Sequence, residues 1–471
     1  MKEYELIVIG SGAGMNVVSK ARSAGLKVAL VENWVMGGTC LNRGCIPSKI
    51  LTYPAEMVRH IQHAREIGIN AKIESIDYEL VRKRMWELVL RDRHGMEEGV
   101  AADSGLDFYH TTARFIGPYT LQVGQEQIKA PKIVLAIGVR TFIPNIPGLR
   151  ETGFETSESI FDMQTLPRSM IILGGGYKAC EFGHFFSAFG TVVSIVGHNP
   201  RILPREEEEV SDLVLAKMME YLKVKVNQEV VSIRKGEKGK IVVLKDRTTG
   251  MVEELEAEEI LLTTGVQSNA DMIEPEVSGI KTDQGRYILV NEYLETNVPG
   301  IFAMGDVIGR TMFRHTANYH AQLVWINAFA KNKMKLDEHA VPHAIFGYPE
   351  VASVGITQSE AKAKGIKVLV GLSEYYDCAK GYAMGERDSF AKVVVDMTSF
   401  QIIGVSAVGT NASILVQAMV YLMNAGDRTY IPMARSQTIH PALSEVMVNA
   451  FGNLHDPDHV HVHEHEEQKE K

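Results

Sequence analysis

Two cysteines separated by four residues, Cys40 and Cys45, are the side chains of this sequence best suited to redox chemistry. They lie in GGTCLNRGCIPSK, residues 37–49, and the whole chain of 471 residues has four cysteines. In a regular helix, Cα atoms five positions apart are about 8 to 9 Å apart, beyond the usual disulfide range of about 4.4 to 6.8 Å. The backbone must therefore leave the helical path, and Gly44 supplies that freedom. A strained, accessible disulfide is of the easily reduced, catalytic kind.

A CxxxxC segment can also be half of a metal site. No second Cys or His pair at ligand spacing accompanies it, so we expect redox chemistry and no metal site. The other cysteines, Cys180 and Cys378, belong to no pair and are predicted to be buried thiols. The alternating histidines of the C-terminal segment HVHVHEHE could bind a metal, but a disordered solubilising tail is the favoured interpretation.

A reactive cysteine pair needs a proton acceptor, since the thiolate is the nucleophilic form. The segment SQTIHPALSE, residues 436–445, offers His440 as an acid/base and Glu445 as the carboxylate that orients it. A lone His with a nearby Glu is most often a surface feature. Only the cysteine pair upstream favours the catalytic interpretation.

Residues 4–32 predict a strand, a glycine-rich turn, a helix and a second strand. Gly10 and Gly12 would let the backbone approach a pyrophosphate at the helix N-terminus, and Glu32 is spaced to bind a ribose. The third glycine of the usual G-x-G-x-x-G pattern is replaced by Met15, which Gly14 could partly offset.

A second unit of the same design begins near Met170 and indicates a second dinucleotide. Its turn is Gly174 to Gly176, with Ala179 in the third-glycine position. At the position that corresponds to Glu32 the chain has Gly197 followed by His198, so no carboxylate would repel a 2′-phosphate. The choice between NAD and NADP stays open, with a slight preference for NADPH tolerance. Between these units and the C-terminus, FAMGDV places Asp306 after a strand, where its carboxylate could bind a hydroxyl chain.

Length and composition limit the remaining possibilities. A chain of this length is too long for a single core, and the pattern changes to alternating strands near Val341. The net charge of −9 argues against nucleic-acid binding. No apolar run is long enough for a membrane span and no secretory signal is readable, so we expect no membrane partner and a cytoplasmic location.

Seven segments in order resemble one family, the two-cysteine pyridine nucleotide-disulfide oxidoreductases: IGSGAG, GGTCLNRGCIPSK, AIGVRTFIPNIPG, GGGYKACE, GVQSN, FAMGDV and IHPALSE. The resemblance runs from Tyr4 to about Phe451. It implies an α/β fold with two Rossmann-like domains, an α+β dimerisation domain and a homodimer whose active site is completed across the subunit boundary. The implied domains are an FAD-binding domain at 1–147 and 270–338, an NAD(P)-binding domain at 148–269, an interface domain at 339–454 and a disordered tail at 455–471.

The resemblance also implies roles for individual residues. Cys45 would form the charge-transfer pair with the flavin, Cys40 would attack the substrate, and the partner subunit's His440, oriented by Glu445, would be the acid/base. Lys49 would lie near the flavin and pair with Glu181, and Tyr177 would cover the nicotinamide site. The remaining FAD and NAD(P) positions are Gly10, Gly12, Gly14, Glu32, Gly38, Thr39, Gly138, Asp306, Ala317, Gly174, Gly176, Gly197, His198 and Gly265.

Substrate identity depends on side chains that no local motif determines. The loop GGTCLNRGCIPSK matches dihydrolipoyl dehydrogenase closely, which makes lipoamide, free or on a lipoyl-bearing protein, the leading substrate. Thr438, where that group usually has a second His, and Met15 are departures that mycothione reductase shares. The alternative is therefore an NADPH-linked reductase of a small disulfide, such as mycothione or glutathione disulfide. From another class, the chain could be a non-catalytic redox-sensing or metal-binding flavoprotein.

Overall fold

Residues 1–458 are described by the structure, a computed structural model, and they form two units. The first unit comprises Met1–Ile61, Lys72–Ile202 and Tyr221–Glu338, and the second comprises Gln62–Ala71, Leu203–Glu220 and the residues from His339 onward. No helix in the described part of the chain is both long and apolar enough to cross a membrane.

The first unit contains most of the strands. In chain order they are β1 Lys2–Glu3, β2 Leu6–Ile9, β3 Val28–Glu32, β4 Leu106–His110, β5 Ala113–Gly117, β6 Thr120–Val123, β7 Glu126–Lys129, β8 Ile133–Leu135, β9 Val139–Thr141, β10 Glu155–Thr156, β11 Ser169–Leu173, β12 Val192–Val196, β13 Lys223–Lys225, β14 Gln228–Lys235, β15 Lys240–Asp246, β16 Val252–Ala257, β17 Glu259–Leu262, β18 Val266–Ser268 and β19 Ile301–Ala303. Those of the second unit are β20 Pro342–Ile345, β21 Val351–Gly355, β22 Val368–Glu374, β23 Phe390–Asp396 and β24 Ile402–Val408.

The α-helices are α1 Gly14–Ser23, α2 Gly38–Arg43, α3 Cys45–His63, α4 Tyr78–Ala102, α5 Leu149–Thr152, α6 Tyr177–Ala188, α7 Glu208–Met219, α8 Arg314–Phe329, α9 Gln358–Ala363, α10 Ala379–Met384, α11 Ala412–Met423, α12 Ile431–Ala434 and α13 Glu445–Gly452. Short 3-10 helices occupy Ala64–Ile67, Ser159–Asp162, Ala270–Met272, Pro275–Ser278, Gly305–Ile308 and Tyr375–Asp377.

Two parallel sheets carry the two predicted nucleotide-binding units. The first has the strand order β19-β8-β2-β3-β4 and the second has β10-β17-β11-β12-β13. β2 is buried along its whole length, as expected for a strand covered on both faces. Since neighbouring parallel strands end at the same edge, the turns that follow β2, β3, β8 and β19 gather there. The mixed α/β class predicted from the sequence is confirmed.

Smaller sheets complete the first unit. β14, β15 and β16 form an antiparallel sheet, β9 pairs with β18, and β1, β7, β6 and β5 form a four-stranded sheet. The second unit is built on one antiparallel sheet of order β20-β21-β24-β23-β22. α11 and α13 supply buried side chains such as Leu415, Met419 and Val446 to the core of this unit. Its sheet begins close to residue 339, where the sequence predicts the interface domain.

One helix within the predicted NAD(P) range groups elsewhere. α7 belongs to the second unit, although the sequence assigns 148–269 to a single domain. Ion pairs explain the difference: Lys392 on β23 donates to Glu207 at 3.0 Å and to Glu209 at 2.8 Å. Glu206 accepts a hydrogen bond from Ser353 at 2.6 Å. Buried charges of opposite sign must pair, so these contacts attach the segment to the antiparallel sheet.

The first residue of the predicted tail, His455, is part of the fold. His455 forms an isolated antiparallel bridge with Val370, with N···O distances of 2.9 and 3.0 Å. This pairing extends the edge of the antiparallel sheet beyond α13. The predicted histidine tract, His459 to His465, lies outside the described residues.

Candidate redox and nucleotide-binding site

The helix break between the two redox cysteines occurs at the glycine that the sequence singles out. Cys40 lies in α2, which ends at Arg43, and Cys45 is the first residue of α3. Gly44 between them leaves the helical region, with φ −146° and ψ −119°. A Cβ atom at Gly44 would lie 3.0 Å from the Thr39 carbonyl oxygen and 3.1 Å from Cys40 Cα, which is too tight for most side chains. This break places the two thiols close enough that each shifts the pKa of the other.

The two sulfurs differ strongly in acidity. The hydrogen bond from Cys40 lowers the pKa of Cys45 to about 7, against burial, and the ammonium of Lys49 acts in the same direction. The same hydrogen bond, together with burial, raises the pKa of Cys40. Cys45 is therefore the thiolate near neutral pH and Cys40 is the thiol that donates to it. Deprotonation of Cys40 requires a base.

Lys49 and Glu181 come together as the sequence predicts. The Lys49 ammonium lies 2.7 Å from both carboxylate oxygens of Glu181. Lys49 follows Cys45 by one helical turn in α3, and Glu181 is a buried residue of α6. A buried carboxylate needs such a partner, because desolvation disfavours its charged form. The pair links α3, which begins with Cys45, to α6, the helix of the second nucleotide-binding unit.

The first glycine-rich turn has the close contacts that a dinucleotide cradle requires. Gly10 has φ +103°, and a Cβ atom there would lie 2.3 Å from the Ala136 carbonyl oxygen. Gly38 has φ +67°, and its Cβ would lie 2.7 Å from Gly12 Cα, so these two backbones pack directly on each other. The N-terminus of α1 follows with no acidic side chain in its first turn. This arrangement leaves space for a pyrophosphate next to the N-terminus of α1, which is the positive end of the helix dipole.

Gly14 has the packing role of the missing third glycine. A Cβ atom there would lie 2.9 Å from Val8 Cγ1 and 3.1 Å from the Ala136 side chain. α1 can therefore pack close against β2, while Met15 points to the core as a partly buried residue. The departure at Met15 leaves the turn intact.

The carboxylates predicted to bind FAD lie at the same sheet edge. Glu32, at the end of β3, accepts hydrogen bonds from the Ser11 amide at 2.9 Å and the Ser11 hydroxyl at 2.8 Å, next to Gly12. Asp306 follows β19, and burial raises the pKa of its carboxyl group. The structure shows no hydrogen bond to the Asp306 carboxylate from the described residues, so a hydroxyl-bearing ligand would satisfy it. Ala317 packs against Gly305, the residue before Asp306. The Cβ atom of Ala317 lies 3.2 Å from the position that a Cβ atom would take at Gly305.

Two further FAD positions are less constrained. Gly138 follows β8 with φ +63°, and its carbonyl oxygen accepts from the Asn269 amide at 3.3 Å. Thr39 is exposed in α2. The residues at this edge as a whole fit FAD: a turn open to a pyrophosphate, a carboxylate at the ribose position and a half-buried carboxylate that accepts no hydrogen bond from the described residues.

The second glycine-rich turn joins β11 to α6. Gly174 has φ +132° and its Cβ would collide with Thr263, and α6 starts at Tyr177 directly after Gly176. Tyr177 is 41% exposed, and its ring centroid lies 6.3 Å from that of Phe313. Gly265 follows β17 with φ +102°. These turns again lie at the carboxyl ends of adjacent parallel strands.

Basic groups lie at the end of β12, where a carboxylate would select NAD. Gly197 follows this strand, and a Cβ there would lie 3.6 Å from Gly175 Cα. His198 is exposed, and its carbonyl oxygen accepts from the Arg247 guanidinium at 3.1 Å. Arg247 was not predicted from the sequence, since it lies 49 residues downstream of His198. Arg247 could have been found from the sequence only by predicting that β14 pairs with β15.

The proposed base lies in the second unit. His440 Nδ1 and Glu445 Oε1 are 2.7 Å apart, and the other oxygen of Glu445 accepts from the Ala442 amide at 3.2 Å. The hydrogen bond to His440 lowers the pKa of Glu445. The imidazole is 72% exposed, and its Nδ1 is the nitrogen that contacts the carboxylate. It is oriented as a base would be, by a carboxylate on its other nitrogen.

Sequence reasoning missed two cations of the first unit. The Arg314 guanidinium at the start of α8 lies 4.0 Å from a Cβ built on Gly12, and its charge lowers the pKa of both redox cysteines. Lys178 lies in the first turn of α6 beside Tyr177. Lys178 stands inside the quoted segment GGGYKACE, whereas Arg314 follows FAMGDV by seven residues and lies in none of the quoted segments. Neither residue type is part of a recognised pattern.

The comparisons with known proteins agree with this site. Residues 4–321 match the model of the pyridine nucleotide-disulphide oxidoreductases, and residues 341–451 match the dimerisation domain of the same family. Mycothione reductase of Mycobacterium tuberculosis is 32% identical, over 96% of this chain and 99% of its own length. Dihydrolipoyl dehydrogenase of Chlamydia muridarum is 32% identical, over 94% of this chain and 95% of its own length.

Solved structures agree as well. The HOCl-induced flavoprotein disulfide reductase RclA from Escherichia coli, in its Cu(II) complex, superposes with a TM-score of 0.85 at 26% identity, covering 96% of this chain and 99% of that one. The family is FAD-dependent and uses NAD(P)H, and both the fold and the cysteine pair of this chain conform to it. The chain belongs to the pyridine nucleotide-disulphide oxidoreductase family.

Proposed function

We propose that this protein is an NADPH-dependent reductase of a low-molecular-weight disulfide. The overall reaction is NADPH + H⁺ + RSSR → NADP⁺ + 2 RSH. The observation that carries the proposal is the end of β12, where Gly197, His198 and Arg247 stand and no carboxylate follows the strand. A 2′-phosphate gains charge-assisted hydrogen bonds from such groups, whereas a carboxylate would repel it. Lipoamide, the leading substrate from the sequence, thereby becomes the second candidate.

The cysteines would act in two steps. The Cys40 thiolate attacks one sulfur of the substrate, which forms a mixed disulfide and expels the first thiol. The Cys45 thiolate then attacks the Cys40 sulfur, which expels the second thiol and leaves a Cys40–Cys45 disulfide. The low pKa of Cys45 supports its role as the resident thiolate, and the raised pKa of Cys40 explains why its proton needs an acceptor. FAD, when bound, supplies the electron transfer from NADPH that reduces this disulfide again.

His440 is the acceptor that we propose, acting from the other subunit of a homodimer. His440 would accept the proton of Cys40 and then donate it to the departing substrate thiolate, while Glu445 holds the imidazole ring in place. α11, within the matched dimerisation domain, has an outward face formed by Ile414, Ala418 and Tyr421, of which Ile414 and Tyr421 are each 68% exposed. An apolar helical face of this kind supports burial against a second copy.

The second candidate is dihydrolipoyl dehydrogenase activity, with a lipoyl-bearing protein as partner. It is favoured by the 32% identical relative with that name and by the segment GGTCLNRGCIPSK. A passive redox sensor is a weaker proposal, because a sensor has no use for the imidazole and carboxylate pair formed by His440 and Glu445. The cytoplasmic location stays a prediction.

A steady-state panel separates these functions. The purified holoenzyme would be offered NADPH or NADH with mycothione disulfide, glutathione disulfide, other small disulfides and lipoamide. We expect kcat/KM to be about tenfold or more higher with NADPH than with NADH, as one or two charge-assisted hydrogen bonds imply. We also expect at least one small disulfide to be reduced faster than lipoamide. Faster turnover of lipoamide with NADH would replace the first candidate by the second.

The matched variants are Arg247→Met and Lys245→Met. Lys245 is a basic residue near the end of β15, two positions before Arg247, and the structure shows no hydrogen bond from it to His198 among the described residues. Arg247→Met should raise KM for NADPH and leave KM for NADH unchanged. Lys245→Met should change neither. Equal losses with both nucleotides would show that Arg247 does not distinguish the 2′-phosphate.

A further inference from the structure

A half-buried lysine that the proposed mechanism does not use stands beside the redox site. Lys178 is the second residue of α6, and its ammonium donates to the Ser157 hydroxyl at 3.1 Å. Ser157 is itself buried, so the lysine side chain is anchored in one direction rather than extended into solvent. Lysines are seldom placed in such positions without a charge partner.

The charges around Lys178 are those of the redox site. Burial lowers the pKa of Lys178, while the negative charges of Glu158, Asp306, Glu181 and Cys45 raise it. Glu181 lies one helical turn further along α6, and Lys49 already binds both of its oxygens. Lys178 is therefore a second ammonium beside the Lys49–Glu181 pair, and its field reaches both the Cys45 thiolate and the Asp306 carboxylate.

The position of the second glycine-rich turn indicates which part of the nucleotide approaches Lys178. A pyrophosphate at Gly174 to Gly176 would lie at the N-terminus of α6. The adenosine half would extend toward the end of β12, where Gly197 and His198 stand. The nicotinamide half would then extend the other way, toward Tyr177 and Glu181 of α6, which binds Lys49 on the helix that begins with Cys45. Lys178 belongs to this side.

We propose that Lys178 is a specificity-determining residue that makes the site prefer the reduced nicotinamide nucleotide over the oxidised one. The oxidised nicotinamide ring carries a positive charge and the reduced ring is neutral. An ammonium near the ring repels only the oxidised form. Lys178 thereby favours capture of NADPH and release of NADP⁺. This inference rests on the proposed function and gives it a direction: disulfide reduction rather than dithiol oxidation.

Lys178→Met removes the charge with little change in side-chain length, and Lys178→Arg keeps it. Binding of NADP⁺ to the oxidised holoenzyme would be measured from the change in flavin absorbance. Binding of a tetrahydronicotinamide analogue of NADPH, which has an uncharged ring and transfers no hydride, would be measured in the same way. We expect Lys178→Met to bind NADP⁺ about tenfold more tightly, a difference of about 1.4 kcal/mol, with the analogue unchanged. Lys178→Arg should resemble the wild type.

The inference is overturned if the ratio of the two dissociation constants is the same in Lys178→Met and the wild type, or if Lys178→Arg shifts it as much as Lys178→Met. If Lys178→Met does not fold, Lys178→Gln provides the same comparison. Because these are equilibrium measurements, they are independent of turnover. A wild-type enzyme that fails to reduce any disulfide contradicts the proposed function, whereas an unchanged binding ratio contradicts only the role of Lys178.

Discussion

The Nδ1 atom of His440 lies 2.7 Å from a carboxylate oxygen of Glu445, yet the imidazole is 72% exposed. A hydrogen bond to Nδ1 sets the tautomer of the ring and leaves Nε2 for a proton from elsewhere. This orientation supports the proposal that His440 is the proton acceptor.

His440→Gln should lower kcat for disulfide reduction by about 10² to 10⁴, the usual contribution of a positioned proton-transfer group. Glu445→Gln should cost less, because the ring would keep its basic nitrogen but lose its orientation. Steady-state rates with a small disulfide provide the measurement. His94→Gln, an exposed histidine of α4, is the matched control and should have the wild-type rate. A near-normal rate in His440→Gln would mean that another group accepts the proton.

The acidity of Cys45 predicts a titration near neutral pH in the reduced enzyme. Its pKa of about 7 lies below the ordinary thiol value because Cys40 donates a hydrogen bond to it. The thiolate is therefore present above about pH 7 and is lost as the pH falls through that value. The alkylation rate of Cys45 by iodoacetamide, followed by mass spectrometry, should rise with a midpoint near pH 7.

Cys40→Ala should move that midpoint upward, since it removes the hydrogen-bond donor that stabilises the Cys45 thiolate. The same variant should also abolish disulfide turnover while FAD stays bound. Cys378→Ser is the control, because the Cys378 thiol donates instead to the Tyr375 carbonyl oxygen at 3.2 Å. A midpoint near the ordinary thiol value of about 8.5 in the unsubstituted enzyme would contradict the assignment.

Removing only one partner of the ion pair between Lys49 and Glu181 should lower the stability of the protein. Lys49→Met leaves the buried Glu181 carboxylate without its main cation and should lower the free energy of unfolding by about 1 to 3 kcal/mol. The double variant Lys49→Met/Glu181→Gln should recover part of that loss, because the remaining buried group is neutral. Urea unfolding of each variant tests this. A double variant less stable than Lys49→Met would argue that Glu181 is stabilised chiefly by other groups.

Substitution by alanine should have opposite effects on stability at two glycines that lie in helices, Gly14 and Gly95. A methyl group at Gly14 would lie 2.9 Å from Val8 Cγ1, so Gly14→Ala should lower stability by about 1 to 3 kcal/mol and weaken FAD retention. Gly95, in α4, has nothing within 4 Å of a Cβ atom, so Gly95→Ala should raise stability by up to about 1 kcal/mol. Thermal unfolding and flavin content after dialysis provide the measurements. Normal flavin content in Gly14→Ala would show that the helix can move away from β2.

The amino-acid sequence by itself determined what depends on local backbone geometry. The break at Gly44, the turns at Gly10 and Gly174, and the strand and helix pattern around them follow from residue type and spacing. Glycine alone tolerates the positive φ values of Gly10 and Gly174 and the close contacts at all three positions. The pairing of Lys49 with Glu181 was predicted only through the family resemblance, since 132 residues separate them.

The tertiary structure decided what depends on residues distant in sequence. It grouped α7 with the antiparallel sheet through Lys392, and it placed Arg314 close to Gly12. It also placed Lys178 among the charges of the redox site. Electrostatic effects of this kind fall with distance in space and not with separation along the chain. No motif can report them until folding has brought the charges together.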